Sequence, residues 1–249
     1  MMIKKEIKSK KQWIIIALFM LSSCSGKPHF STNGLTNRLT REEEILVDFK
    51  NGENFLFREA WWSNGYPFDC RWSQDSINFE DDTMKVTLFK KDDTYFGGEY
   101  RSNLKTSYGF YSVKMKAISC PGVITSFFTY TYNPWDEIDI EFLGDDTTKV
   151  QFNYYTNGVG KHEYIYKLGF DASKDFHEYS FDWKKESITW YVDGVPVYRA
   201  TKDIPKTDTY IMMNVWNVHS DVKEWAGEFD ESKLPVTAEY KWVGYSPNN

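Results

Sequence analysis

Three acidic residues alternate along one short stretch of this chain, Glu137-Ile138-Asp139-Ile140-Glu141, preceded by Trp135-Asp136 and followed by Phe142. In an extended strand, side chains at i and i+2 share a face. Glu137, Asp139 and Glu141 therefore form one row, with Ile138 and Ile140 on the other side. Nothing structural rewards such a row. At an effective dielectric near 20, two unit charges ~6 Å apart repel by about 3 kcal/mol, roughly 2 pKa units. One member is then expected to keep its proton near neutral pH, as a general acid must. Four residues at ~3.3 Å rise put the α-carbons of Glu137 and Glu141 ~13 Å apart. Two leaning glutamate side chains can bring the carboxyls near the ~5–5.5 Å of a retaining glycosidase. In that chemistry Glu137 and Glu141 divide the roles of nucleophile and acid/base, and Asp139 hydrogen-bonds to a carboxyl between them. The strand alone leaves three other readings open: a calcium site, a salt-bridged strand and plain solvated acids.

The same two-residue spacing recurs elsewhere. Glu99 pairs with Arg101, Phe128 with Tyr130, Asn153 with Tyr155 and Asn214 with Trp216, while Ile138, Ile140, Phe152 and Val215 fall between such positions. One face reads as core. The other collects carboxylates, amides, an arginine and rings, the contents of a carbohydrate cleft. A merely solvated face would carry Lys, Thr and Ser rather than Trp and Tyr.

Those rows need strands to carry them. With 10 Trp, 17 Tyr and 18 Phe in 249 residues, the composition favours strands. Period-two alternation predicts strands over 84–89, 98–102, 109–116, 124–131, 137–142, 150–155, 177–183, 188–192, 195–199, 210–216 and 237–244. Asp193-Gly194 is a type I′ hairpin signal between two of them. No stretch has helical spacing of helix length, and no repeat or second domain is visible. The expected fold is all-β, a two-sheet antiparallel sandwich of jelly-roll type with a concave cleft.

Residues 1–23 read as an export leader. Five lysines precede the apolar run Trp13 to Leu21, which is too short to span a bilayer as a helix. Leu21-Ser22-Ser23-Cys24 resembles a lipobox, making Cys24 the expected lipidation site and the chain's only expected hold on a membrane. Residues 24–44 read as a flexible tether and 45–249 as the catalytic domain. The expected destination is a cell-surface or periplasm-facing membrane, with release outside the cell as the alternative. Removing residues 1–23 leaves 25 basic against 35 acidic residues, which disfavours nucleic acid as a partner and permits a neutral polysaccharide. The four histidines are scattered without HExxH, so no catalytic metal is expected. A monomer is the expected state.

Trp135 to Gly144 (WDEIDIEFLG), Thr147 to Gly160 (TTKVQFNYYTNGVG), Leu168 to Ser173 (LGFDAS) and Trp190 to Val195 (WYVDGV) closely resemble bacterial lichenases. These are endo-β-1,3-1,4-glucanases of glycoside hydrolase family 16, and the likeness runs from about Asn64 to Tyr245. It implies a concanavalin-like jelly roll and retaining hydrolysis of β-1,4 bonds next to β-1,3 linkages in mixed-linkage β-glucans. Xyloglucan-active members and a non-catalytic glycan-binding lipoprotein are the alternatives. By motif, Glu137 resembles the nucleophile, Glu141 the acid/base and Asp139 the assisting aspartate. Asn64, Glu99, Arg101, Phe128, Tyr130, Trp135, Asn153, Tyr155, Asn214, Trp216 and Trp225 resemble sugar-binding positions. Glu-x-Asp-x-Glu is the regular-strand form, whereas laminarinases of the family typically insert a bulge.

The chain also departs from the family. Gly97 and Gly98 stand before Glu99 where relatives have a cysteine that pairs with the one matching Cys70, so that bond is not expected, nor is a Cys70–Cys120 bond. Lys241 replaces the aspartate associated with the family's structural calcium, which argues against calcium here. The loop between Tyr130 and Trp135 is shorter than in many relatives, which would open one end of the cleft.

Overall fold

A computed structural model describes residues 45–51, 56–58 and 62–248. The leader, Cys24 and the tether lie outside the described residues. Sixteen strands are present among those described: β1 (Ile45–Asp48), β2 (Leu56–Arg58), β3 (Arg71–Trp72), β4 (Ile77–Glu80), β5 (Thr83–Lys91), β6 (Thr94–Thr106), β7 (Gly109–Lys116), β8 (Val123–Thr131), β9 (Asp136–Leu143), β10 (Lys149–Tyr155), β11 (Tyr164–Lys167), β12 (His177–Lys184), β13 (Ser187–Val192), β14 (Val195–Ala200), β15 (Thr209–Asn217) and β16 (Val236–Pro247). All eleven expected strands form, most of them longer by one or a few residues.

The strands make two sheets. One runs β11-β10-β9-β8-β15-β6, the other β5-β16-β7-β12-β13-β14. Strands β5 and β6 connect them, paired at Phe89 with Phe96 beside the Asp92-Asp93 turn. Between the sheets the apolar rows meet. Phe127 of β8 lies 5.9 Å from Phe181 of β12, Phe142 of β9 4.8 Å from Tyr179, and Phe152 of β10 5.6 Å from Trp190 of β13. Ile138, Ile140, Phe142 and Phe152 are fully buried. Two hydrogen bonds cross this core to the cleft sheet's backbone, from Trp190 Nε1 to Asp139 O at 3.2 Å and from Tyr240 Oη to Ser126 O at 3.0 Å. Each satisfies a buried polar group while holding the carboxylate strand and its neighbour from beneath.

β9 keeps unbroken register with both neighbours: Glu137 faces Tyr130 and Tyr155, Asp139 faces Phe128 and Asn153, Glu141 faces Ser126 and Gln151. Its start is anchored. Buried Asp136 accepts backbone hydrogen bonds from Asn157 at 2.8 Å, Lys206 at 2.9 Å and Thr207 at 2.9 Å. The β13–β14 turn has φ of 47° at Asp193 and 77° at Gly194, as a type I′ hairpin requires.

Cys70 and Cys120 are both free and buried. A Cβ at Gly97 would run into Val215 O and come within 3.0 Å of Cys70 Sγ, so glycine is what the close approach of β6 to β15 admits. Lys241 occupies the irregularity in β16 between Tyr240 and Trp242, its Nζ 4.4 Å above the Phe176 ring. That position offers an ammonium and a ring where calcium needs oxygen ligands, so these residues do not fit the relatives' metal.

Candidate active site

The open face of the β11-to-β6 sheet carries a cleft with about 250 Å³ of free space. All fourteen expected cleft residues line it: the three acids, Asn64, Glu99, Arg101, Phe128, Tyr130, Trp135, Asn153, Tyr155, Asn214, Trp216 and Trp225. The strand register explains the gathering, since residues opposite one another on neighbouring strands point the same way. Glu99, Asn214, Ser126, Glu141 and Gln151 form one cross-strand row, and Arg101, Met212, Phe128, Asp139 and Asn153 the next. Trp225 arrives separately, on the single-turn helix α1 (Lys223–Ala226).

Sequence reasoning missed Trp62, Phe68, Ser126, Tyr132 and Met212, which also line the cleft. Ser126 and Met212 were legible, being two residues before Phe128 and Asn214. The other three stand on loops, where no periodicity points to them.

Each glutamate has its own donors. Trp135 Nε1 donates to Glu137 Oε2 at 2.6 Å, and the Asp139 carboxyl hydrogen-bonds to Glu137 as well. Glu141 Oε2 accepts from Gln151 Nε2 at 2.8 Å, and Gln151 Oε1 in turn accepts from Trp225 Nε1 at 3.0 Å. Farther along, Asn214 bridges Ser126 and Glu99. Asn64 Oδ1 accepts from Trp72 Nε1 at 2.9 Å. Rings wall the site: Trp135 stacks on Tyr155 at 4.6 Å, and Trp216 packs between Phe68 at 3.9 Å and Trp225 at 6.1 Å. Asn153 Oδ1 is buried with no hydrogen-bond partner among the described residues, an acceptor free for a ligand's hydroxyl.

Burial is the main force on the acids. It raises Asp139 well above the carboxylate range, Glu137 to about 8 and Glu141 to about 7. This corrects the sequence expectation, which made mutual repulsion the cause; repulsion adds to Glu137 and Asp139 but ranks below desolvation. Two donors pull Glu137 back toward its anion, and one of them is a carboxyl that holds the cluster's proton. Glu141 has one neutral amide. Burial leaves Glu137 with the higher pKa of the two, the reverse of the order a nucleophile and a proton donor need. The ground for taking Glu137 as the carboxylate and Glu141 as the proton donor is the donor geometry, two directed donors on Glu137 against one neutral amide on Glu141.

Sequence reasoning also missed Glu163. It directly precedes Tyr164, which pairs with Phe152, so Glu163 sits next to the Asn153 level at the edge of the cleft sheet. Its charge pushes Asp139 and Glu141 further up.

Residues 64–244 match the model of glycosyl hydrolases family 16. The chain belongs to glycosyl hydrolase family 16. Among its family-16 relatives, a "Beta-glucanase" of Acetivibrio thermocellus is 49% identical over 211 residues, covering 82% of this chain and 63% of that protein. A "Xylanase/beta-glucanase" of Ruminococcus flavefaciens is 45% identical over 234 residues, 88% of this chain and 29% of the relative. The chain thus spans about a third to two thirds of the length of these two relatives. A crystal structure of a prokaryotic β-1,3-1,4-glucanase (lichenase) derived from a mouse hindgut metagenome superposes with a TM-score of 0.79 at 46% identity, covering 82% of this chain and 99% of the other. The family-16 fold accounts for the sandwich.

Proposed function

We propose that this protein is an endo-acting, retaining β-glucanase that hydrolyses β-1,4 bonds next to β-1,3 linkages in mixed-linkage glucans. The observation that carries the reading is β9 itself, where two glutamates flank a proton-holding aspartate on the floor of a ring-walled cleft. The likeness to a lichenase and the absence of a bulge in β9 favour the mixed-linkage substrate over laminarin.

In the first step Glu137, charged and held by Trp135 and Asp139, attacks the anomeric carbon. The glycosidic C–O bond breaks as Glu141 gives its proton to the departing oxygen, leaving a glycosyl ester on Glu137. Glu141, now a carboxylate, takes a proton from the water that attacks the same carbon, and the ester breaks with configuration retained. Asp139 keeps its hydrogen bond to Glu137 throughout, while Trp135 and Tyr155 supply a flat wall for the sugar.

The test offers lichenan, laminarin, xyloglucan and carboxymethylcellulose to protein lacking residues 1–24 and follows reducing ends and product size. Short oligosaccharides from lichenan are expected. Cleavage of xyloglucan instead would move the protein to another family activity, and binding without cleavage would make it a glycan-binding protein. After Glu137→Ala, azide should restore turnover with an inverted product; a retained product overturns the nucleophile assignment. The segment Leu21-Ser22-Ser23-Cys24 supports export with a lipid on Cys24. Cys24→Ala should release the protein from membranes, and an unchanged distribution excludes that anchor.

A further inference from the structure

A second concavity, with about 500 Å³ of free space, lies on the outer face of the other sheet, across β12, β13 and β14. Trp183 and Trp190 of these strands point into the core, so their sequence neighbours face outward. Asp182, Thr189 and Arg199 stand directly opposite one another on the three strands, and Tyr191 lies two residues beyond Thr189 on the same face.

These groups are held in place before any ligand arrives. Asp182 Oδ1 accepts from Asn248 Nδ2 at 3.1 Å, while Oδ2 pairs with Lys184 Nζ at 2.8 Å, leaving the Asp182 side chain only 14% exposed. Arg199 reaches along the sheet to Ser187 Oγ at 3.4 Å and has no carboxylate partner among the described residues. The half-buried Tyr191 ring is braced by the edge of Phe110 at 5.6 Å and 61°.

The set repeats the donor chemistry of the cleft. There a carboxylate, an arginine and a tyrosine line one cleft as Glu99, Arg101 and Tyr130. Here the trio is Asp182, Arg199 and Tyr191, without a paired acid. The one carboxylate among the lining residues is tied to Lys184, so the surface can hold a sugar chain but cannot cut it.

We propose that this outer face is a second glycan-binding site that takes a distant stretch of the same β-glucan polymer. A pyranose lies on the Tyr191 ring, Arg199 and Thr189 donate to its hydroxyls, and Asp182 accepts from them. A free anion fits worse, because the Asp182 carboxylate belongs to the row and the chain as a whole is acidic. The proposal rests on the glucanase reading for its polymer. Holding the polymer at two points raises the local concentration of chain at the cleft without any new contact there.

The experiment measures retardation of the full chain in native gels containing lichenan, with Glu137→Gln in every sample to stop cleavage. Tyr191→Ala is expected to reduce retardation about 3- to 10-fold, Arg199→Met to reduce it as well, and Tyr191→Phe to preserve it. In chains with intact Glu137, Tyr191→Ala should raise KM on lichenan by a similar factor and leave kcat/KM on a short mixed-linkage oligosaccharide unchanged. Equal retardation of all variants overturns the proposal, as does an equal loss on polymer and oligosaccharide, which would report a damaged fold. Unmodified protein that is retarded by lichenan without cleaving it would overturn the glucanase reading, while the Tyr191 comparison still decides the surface on its own.

Discussion

Trp135 donates its indole N–H to Glu137 at 2.6 Å, from a position two residues earlier in the chain. Alternation puts the two side chains on one face, and the Tyr155 ring stacked on Trp135 fixes the indole plane. A neutral donor aimed at a carboxylate strengthens the anion by roughly 1.5–3 kcal/mol. Trp135→Phe keeps the stack and removes only the donor. Its expected result is a loss of about 10- to 100-fold in kcat. Because losing the donor raises the proton affinity of Glu137, the acid limb of the rate profile should move to higher pH. An unchanged acid limb would mean that the bond does not tune Glu137.

Glu141 gives a prediction on the alkaline side. Burial raises it to about 7, and the charge of Glu163 contributes to that rise. A general acid works while protonated, so activity should fall as pH passes above about 7. Glu163→Gln removes one source of the rise and should move that limb to lower pH. A limb that stays put in the variant would show that Glu163 does not reach the site.

The same burial sets a dependence of stability on pH. As pH rises, the unfolded chain releases the Glu141 proton near the ordinary 4.5, while the folded chain keeps it to about 7. The unfolded state therefore binds fewer protons in that window, and stability falls as pH rises through it. Glu141→Gln should be more stable than the parent at pH 8 by on the order of 1–2 kcal/mol and nearly equal at pH 4, a difference that denaturant melts can read. The Glu141 side chain is partly exposed, which keeps the figure well below the full shift.

Asp136 supplies the opposite case, a buried carboxylate with structural partners. It ties three backbone N–H groups from two loops to the head of β9. Asp136→Ala would leave those donors unpaired and is expected to destabilise the fold by about 2–4 kcal/mol. Thermal melting should show it, with a reduced yield of folded protein.

Much of the site was legible because the cleft rows obey a two-residue period. Glu137, Asp139 and Glu141, and the pairs from Glu99 with Arg101 to Asn214 with Trp216, needed only that rule. The strands it overlooked were short. β4 (Ile77–Glu80) does alternate, but over four residues the signal does not rise above chance. β3 has two residues, and β11 reads Tyr-Ile-Tyr-Lys with no polar alternation. Glu163 escaped because its effect depends on β11 docking beside β10, a pairing that local pattern does not specify. Trp62 and Phe68 escaped for a similar reason, since loop side chains reach the cleft through tertiary folding. The weight of desolvation over repulsion was likewise invisible, because it depends on how deeply the finished sandwich encloses β9.

Cys70 is sealed beneath Gly97, and burial pushes its thiol up to about 12. At neutral pH such a sulfur is almost wholly the unreactive thiol. Cys120, also buried, has its thiol hydrogen-bonded to the carbonyls of Pro121 and Asp230. The described residues thus hold no disulfide that must form as the fold matures. The β-sandwich should assemble equally well in a reducing cytosol or an oxidising medium, and keep its melting temperature when dithiothreitol is added.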